Sequence, residues 1–197
     1  MGTIKTTNIE PIADNGTVTL GSSGDTFTVP SGVTVNMSSA TQTGVGGNNT
    51  PAFEAYLSSS TDINDNTYTK IQFNTEVYDT DNCYDNSTNY RFTPTVAGKY
   101  FVYSYVLIDT TPGNMRQIST RIYKNGNQGG GTFANINFDN NDGEGGAQFN
   151  HSVIDFNGSS DYVEIFANPD TVAGGTAEVV GDSGERFTVF GAYKIIT

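Results

Sequence analysis

The sequence predicts an all-β protein, an antiparallel jelly-roll sandwich, on three observations. Apolar and polar residues alternate with a period of two over several short segments, which is the pattern of half-buried strands. The 197 residues include 23 glycines, and Asn, Asp, Ser and Thr fill many of the intervals, as turns between short strands require. No window carries a helical period, while 11 Tyr and 12 Phe supply enough apolar area for a core.

Residues 1–37 form the first unit that the sequence distinguishes. Three short stretches in it alternate Val, Leu or Phe with Thr and are separated by turns: Gly16–Leu20, Thr26–Val29 and Val33–Val35. Strands this short need a partner surface, either the main domain or copies in other chains. We therefore expect residues 1–37 to be a β-rich attachment and trimerisation segment, and the small polar residues 38–50 to be a linker.

From Pro51 onward strand signals recur along the chain, and we expect residues 51–197 to form one jelly-roll domain. The predicted strands are Ala52–Ser58, Lys70–Tyr78, Arg91–Val96, Lys99–Ile108, Ile118–Lys124, Ala134–Phe138, Gln148–Phe156, Asp161–Ala167 and Arg186–Ile196. Asn125-Gly126 is typical of a type I′ hairpin turn. Strands at this spacing indicate a sandwich or a jelly roll.

Lys99–Ile108 is the strongest predicted strand, and it is apolar or aromatic on both faces. One face carries Phe101, Tyr103, Tyr105 and Leu107, and the other carries Tyr100, Val102, Val106 and Ile108. A strand of an antiparallel sheet usually keeps one wet face. We therefore expect a neighbouring subunit to bury the second face.

The segment from Phe73 to Tyr105 resembles the signature of the complement C1q family, which has the C1q/TNF-like jelly-roll fold. The matching positions are Phe73, Asp79, Tyr84, Phe92 (one residue late), Gly98 and Tyr100, with Phe190 and Gly191 in the final strand. The pattern departs at Val102 and Ser104, where the family has aromatic residues. Either a bulge shifts the register there or the chain is a distant, remodelled member.

This resemblance covers residues 51–197 and implies a ten-stranded jelly roll that packs as a tight homotrimer. It also implies ligand recognition through surface loops, sometimes with calcium, and no enzymatic activity. Residues 1–37 resemble the short Gly/Thr/Ser-rich β-repeats of marine bacteriophage fibre and appendage proteins.

The charge, the cysteine content and the N-terminal residues limit the possible partners, disulfides and location of the protein. A net charge of −12 with nine basic residues argues against binding to nucleic acid or to an anionic membrane surface, and no stretch approaches the 18 apolar residues that membrane insertion requires. Cys83 is the single cysteine, so the chain forms no internal disulfide. The first ten residues are polar, which predicts no signal peptide. We expect synthesis in a host cytoplasm and a final location on the surface of a virus particle.

Catalytic motifs are absent from the sequence. His151 shares strand parity with Phe149 and Val153, so we interpret it as structural, and no Gly-x-Ser-x-Gly elbow accompanies it. One His and one Cys are too few for a zinc site within one chain. Paired carboxylates could serve a glycosidase, but the chain has no Trp to form a sugar platform. We therefore predict that the protein is not an enzyme.

Two acidic loops leave calcium open as a cofactor. The candidate ligands are Asp79, Asp81 and Asp85 in one loop, and Asp139, Asp142 and Glu144 around Gly143 in the other. Carboxylate-rich loops can bind Ca²⁺. Neither loop has EF-hand spacing, and the same residues also make turns without an ion.

These observations together predict a homotrimeric structural protein of a bacteriophage virion, a capsid- or tail-attached fibre or decoration. Residues 1–37 would contact other virion proteins, and the jelly-roll trimer would bind a host-surface glycan or protein. The predicted binding loops are 109–116, 127–132, 139–147 and 168–184. The alternatives are a capsid or stalk cement protein without a receptor, and a polysaccharide depolymerase.

Overall fold

A computed structural model describes residues 17–36, 49–110, 113–138, 140 and 143–195. The chain divides into two units, residues 1–45 and 46–197, which are described separately. Among the described residues, no helix is long and apolar enough to cross a lipid bilayer.

Residues 17–36 contain two turns and no strand. In the first turn the amide of Asp25 donates to the carbonyl of Ser22, and the amide of Ser22 donates to Asp25 Oδ2 at 2.7 Å. The second turn joins Val33 to Pro30. The strands predicted here are therefore not formed within these residues, and Leu20 and Phe27 are exposed. An extended segment without a neighbouring strand has no ladder of hydrogen bonds to stabilise it.

The described residues between 49 and 195 include thirteen strands and a short 3₁₀ turn at Gln128–Gly130. The strands are β1 Ala52–Tyr56, β2 Ser59–Asn64, β3 Thr69–Lys70, β4 Thr75–Asp79, β5 Tyr84–Asp85, β6 Arg91–Phe92, β7 Gly98–Asp109, β8 Met115–Lys124, β9 Phe133–Asn137, β10 Gly145–Phe156, β11 Val163–Thr171, β12 Thr176–Asp182 and β13 Val189–Lys194.

Two antiparallel sheets form a jelly-roll sandwich, which confirms the predicted fold class. The seven-stranded sheet has the order β2-β12-β7-β13-β1-β4, with β10 also paired to β7. The six-stranded sheet has the order β5-β6-β11-β8-β9, with β3 also paired to β11. The inner faces of the two sheets enclose a single apolar cluster.

A group of four aromatic rings lies within this core. The ring of Phe53 stacks on Tyr84 at 4.5 Å and on Phe92 at 4.6 Å, and meets Phe190 edge-on at 4.9 Å. All four side chains are buried. They come from β1, β5, β6 and β13, so the group joins both sheets. Burying each ring stabilises the fold by roughly 2–3 kcal/mol.

The register of β7 shows whether a bulge accounts for the departure from the C1q pattern at Val102 and Ser104. Residues 98–109 of β7 pair with 145–156 of β10 without a shift, so no bulge is present. Val102 and Ser104 therefore continue the inward row that begins at Tyr100, and all three are buried. Smaller side chains therefore occupy the buried positions where the C1q pattern has aromatic ones.

Several predicted elements differ from the structure in their bounds. Lys70–Tyr78 is divided between β3 and β4, and the predicted strand at 91–96 is only two residues long. Strand β2 has no apolar alternation, and the predicted loop 168–184 contains the end of β11 and all of β12. Strand β12 pairs with β7, and the polar strand β2 forms because it pairs with β12. Long-range pairing, rather than local pattern, determines them.

The hairpin turn at Asn125-Gly126 is confirmed. Both residues have positive φ, 53° and 73°, as a type I′ turn requires. Lys124 and Asn127 exchange two backbone hydrogen bonds across it, at 3.1 and 2.9 Å.

Candidate assembly surface

The residues of the C1q-like motif lie mainly in the core, where they stabilise the fold. Phe73, Tyr84, Phe92, Tyr100 and Phe190 are buried. The Tyr84 hydroxyl donates to the carbonyl of Phe73 at 2.9 Å, and the Tyr100 hydroxyl donates to the carbonyl of Val96 at 2.7 Å. Burial raises the pKa of Tyr100 to about 12.

Two further motif residues, Asp79 and Gly98, lie at the end of β4 and the start of β7. Gly98 has a φ of 141°, where side chains are disfavoured, and starts β7. Asp79 Oδ2 accepts a hydrogen bond from the amide of Tyr84 at 2.7 Å, so this carboxylate orders the loop before β5.

The outward side of the seven-stranded sheet carries a group of exposed or half-buried side chains, mostly aromatic, that we call the aromatic face. It consists of Phe101, Tyr103, Tyr105, Phe149, His151, Val153 and Tyr193. The register places them side by side, because Phe101 lies opposite both Val153 on β10 and Tyr193 on β13. Tyr103 lies opposite His151, and Tyr105 lies opposite Phe149.

The rings of the aromatic face contact one another but remain open to solvent. The ring centre of Phe101 lies 5.5 Å from that of Tyr193 and 5.7 Å from that of His151. The ring centres of His151 and Phe149 are 5.3 Å apart. Phe149 is 56% exposed and Val153 is 55% exposed. A monomeric soluble protein rarely exposes a contiguous apolar patch of this kind, and such patches mark interaction surfaces.

A polar group borders the aromatic face on the side of β1. The Tyr103 hydroxyl donates to Glu54 Oε2 at 2.7 Å, and Arg186 Nη1 lies 3.9 Å from Glu54 Oε1. Burial raises the pKa of Tyr103, and its hydrogen bond to Glu54 raises it further. Burial likewise raises the pKa of Tyr78, with Glu54 as a second cause. These groups orient Tyr103 across the sheet.

His151 lies in the aromatic face and not in the core. Its parity with Phe149 and Val153 is as predicted, but all three side chains point outward. Within the described residues His151 forms no ion pair. The sequence showed the shared parity, whereas only the pairing of β10 with β7 shows which side of the sheet the row faces.

The predicted calcium ligands of the first loop accept hydrogen bonds from donor groups of the protein itself. The Asp85 carboxylate accepts hydrogen bonds from the backbone amides of Ser87, Thr88 and Asn89. These bonds hold the pKa of Asp85 well below its usual range, and the bond from the Thr88 amide contributes most. Asp79 accepts from two amides, and Asp81 accepts from the Thr80 hydroxyl. Asp85 also lines an open polar pocket of about 510 Å³ beside Arg91.

The second predicted calcium loop is only partly described. Asp139 and Asp142 lie outside the described residues, and the carbonyl of Glu144 accepts hydrogen bonds from the amide and the hydroxyl of Thr110. Among the described residues no group of three His, Cys, Asp or Glu side chains is placed to hold a metal ion. Calcium binding stays a prediction.

Comparison with solved structures supports the fold. Neither a known protein-family model nor a curated protein matches the chain. The crystal structure of murine APRIL is similar with a TM-score of 0.50 and 12% identity, covering 73% of this chain and 99% of that one. The Eiger TNF of S. frugiperda gives a TM-score of 0.47 and 10% identity, covering 73% and 91%. The likeness to murine APRIL and the topology of the two sheets show a jelly roll of the TNF/C1q-like kind.

Proposed function

We propose that this protein is a non-enzymatic structural component of a bacteriophage particle whose jelly roll assembles as a homotrimer and binds a host-surface glycan or protein. The aromatic face is the observation that supports the proposed homotrimer. Its exposed rings lie on one sheet, and a closed ring of three copies would bury them. The trimer implied by the C1q-like motif supports the same arrangement.

The placement on the particle rests on the N-terminal sequence. Residues 1–37 resemble the β-repeats of bacteriophage fibre and appendage proteins, and 38–50 have the composition of a linker. In this proposal residues 1–37 attach to other virion proteins, on the capsid or the tail. The protein is made in the host cytoplasm and acts on the particle surface.

The mass of the purified protein in solution tests the assembly. Multi-angle light scattering should give three times the chain mass of 21.0 kDa. Replacing Phe149 with Ser should produce lighter species, because the residue lies in the aromatic face. Phe133→Ser is the matched control, since Phe133 is 49% exposed but lies on the six-stranded sheet. A wild-type mass of a single chain would contradict the proposal.

Removal of residues 1–50 tests the division of labour between the two parts. The truncated protein should keep its binding to host cells and lose its incorporation into particles. Loss of cell binding by an intact truncated trimer would favour a cement protein without a receptor. Turnover of host polysaccharide that a single Asp or Glu substitution abolishes would instead identify a depolymerase.

A further inference from the structure

The two sheets differ in the sign of their charge. The strands of the seven-stranded sheet carry eight acidic residues, namely Glu54, Asp62, Glu76, Asp79, Asp109, Asp155, Glu178 and Asp182, and two basic ones, Lys99 and Lys194. The strands of the six-stranded sheet carry five basic residues, Lys70, Arg91, Arg116, Arg121 and Lys124, and three acidic ones, Asp85, Glu164 and Asp170. Basic residues therefore exceed acidic ones on one sheet of a chain whose net charge is −12.

Arg121 lies on the outward side of that basic sheet, between two aromatic rings. It pairs with Phe133 on β9 and with Phe166 on β11. Its guanidinium carbon lies 4.5 Å from the ring centre of Phe133 and 5.1 Å from that of Tyr68. The Nε group donates to the Tyr68 hydroxyl at 2.9 Å, and Nη1 donates to Gln128 Oε1 at 3.3 Å. These contacts hold the planar group in place.

Arg121 has no carboxylate partner within the described part of the chain. The ion pairs found there use Lys70, Lys99, Arg116, Lys124 and Arg186. Arg121 is instead positioned by a hydroxyl and an amide oxygen, which leave donors of its guanidinium free. A guanidinium presents donors in a fixed fork that matches a carboxylate. No carboxylate of the described residues fills this fork, so a carboxylate of a ligand can bind there.

The side chains beside Arg121 offer an apolar ring and amide groups, which suit the ring face and the hydroxyl groups of a sugar. Phe133 is 49% exposed and offers an apolar ring beside the guanidinium. Gln117, Asn135 and Asn137 continue the outward rows of β8 and β9, and their amides form a chain of hydrogen bonds. Residues two apart on a strand lie about 7 Å apart, so this row spans more than one sugar ring. Amides donate to and accept from hydroxyl groups.

We propose that the outward face of the six-stranded sheet binds a glycan that carries a carboxylate sugar, with Arg121 on the carboxylate, Phe133 against the ring and the amide row on neighbouring hydroxyls. This inference deepens the proposed function, because it names the ligand class and its site. The two outer faces of a sandwich point in opposite directions, so a trimer closed through the aromatic face leaves this site open.

Binding of a galacturonic acid trisaccharide, measured by titration calorimetry on the full chain, tests the proposal. Arg121→Gln should weaken binding roughly tenfold or more, since it removes the charge-assisted hydrogen bonds. Arg121→Lys keeps the charge but loses the fork, so it should also weaken binding, as should Phe133→Ser. Lys99→Gln removes the same charge from the other sheet and should leave the affinity within about twofold. Thermal melts confirm that each variant is folded.

Two ligands of matched size define the chemistry. The carboxyl-reduced trisaccharide should bind at least about tenfold more weakly than the acidic one. Triglutamate should not compete, because it lacks the ring that Phe133 contacts. The proposal is overturned if the wild type does not bind the acidic trisaccharide, if Arg121→Gln binds it equally well, or if either comparison ligand binds as tightly.

The oligomeric state of the same samples distinguishes failure of the glycan site from failure of the proposed trimer. A trimer that fails to bind the trisaccharide overturns the glycan site and leaves assembly standing. Phe149→Ser should dissociate the trimer and keep the affinity for this short ligand, because the site lies within one chain. A wild-type monomer that binds it would overturn assembly and leave the glycan site standing.

Discussion

The ring of Tyr103 lies directly over Gly191 on the neighbouring strand. The two residues are paired across β7 and β13, and a Cβ atom built on Gly191 would lie 2.4 Å from both Cζ and Oη of Tyr103. The absence of a side chain at 191 therefore lets the ring cross β13 and reach Glu54 on β1, which lies opposite Gly191. The glycine of the C1q-like motif thus has a specific packing role here.

Gly191→Ala should destabilise the fold by about 1–3 kcal/mol, because the added methyl group overlaps the Tyr103 ring. Urea unfolding measures the change. Gly129→Ala is the control, since its Cβ would meet its nearest atom at 3.4 Å. In the Tyr103→Ala background the cost of Gly191→Ala should largely disappear. An equal cost in both backgrounds would show that the ring is not the cause.

Phe53→Ala should be among the most damaging core substitutions, at about 3–5 kcal/mol. The ring contacts Tyr84, Phe92 and Phe190, so its removal opens a cavity where the two sheets meet. Chemical denaturation followed by tyrosine fluorescence measures the loss. Phe187→Ala, at a position 38% exposed, should cost much less. Similar losses at the two positions would contradict the importance of the aromatic group.

The free energy of unfolding should fall as the pH rises above about 10. The pKa of Tyr100 is raised from 10.0 to about 12, and the pKa values of Tyr84 and Tyr103 are also raised, chiefly by burial. The folded state then holds protons that the unfolded state releases, so this stability is complete below pH 10 and is lost between pH 10 and 12 and beyond.

Tyr100→Phe tests this alkaline dependence. The variant should lose the hydrogen bond to the Val96 carbonyl at neutral pH, at about 1 kcal/mol, and should show a shallower fall between pH 10 and 12. Parallel pH profiles for wild type and Tyr100→Phe would exclude the buried tyrosine as a source.

Asp85→Ala should destabilise the loop between β5 and β6 by about 1 kcal/mol, because three backbone amides lose their acceptor. The pKa of Asp85 is lowered by those amides, so its contribution is present above the unfolded value near 3.8 and is lost as the pH falls below it. Thermal melts at pH 7 and pH 3 should therefore differ less for the variant than for the wild type. Asp62→Ala, on exposed β2, serves as the control.

The period-two pattern determined much of the fold because it is a local property. The alternation in Lys99–Ile108 placed Tyr100 and Val102 on one side and Phe101 and Tyr103 on the other, as the structure has them. The turn at Asn125-Gly126 was equally local, since its positive φ angles depend on two adjacent residues. The motif residues were identified as a set, and the structure shows that most of them lie in the core.

The tertiary structure decided which rows meet and which side of a sheet they face. Polar strand β2 forms only because β12 lies beside it, and Phe149 joins Tyr105 only through the register of β10 with β7. Arg121 lies between Tyr68 and Phe133, residues 53 and 12 positions away, which no local pattern connects. Periodicity assigns a side chain to one of two faces, whereas pairing between distant strands determines its neighbours, and both proposed surfaces depend on those neighbours.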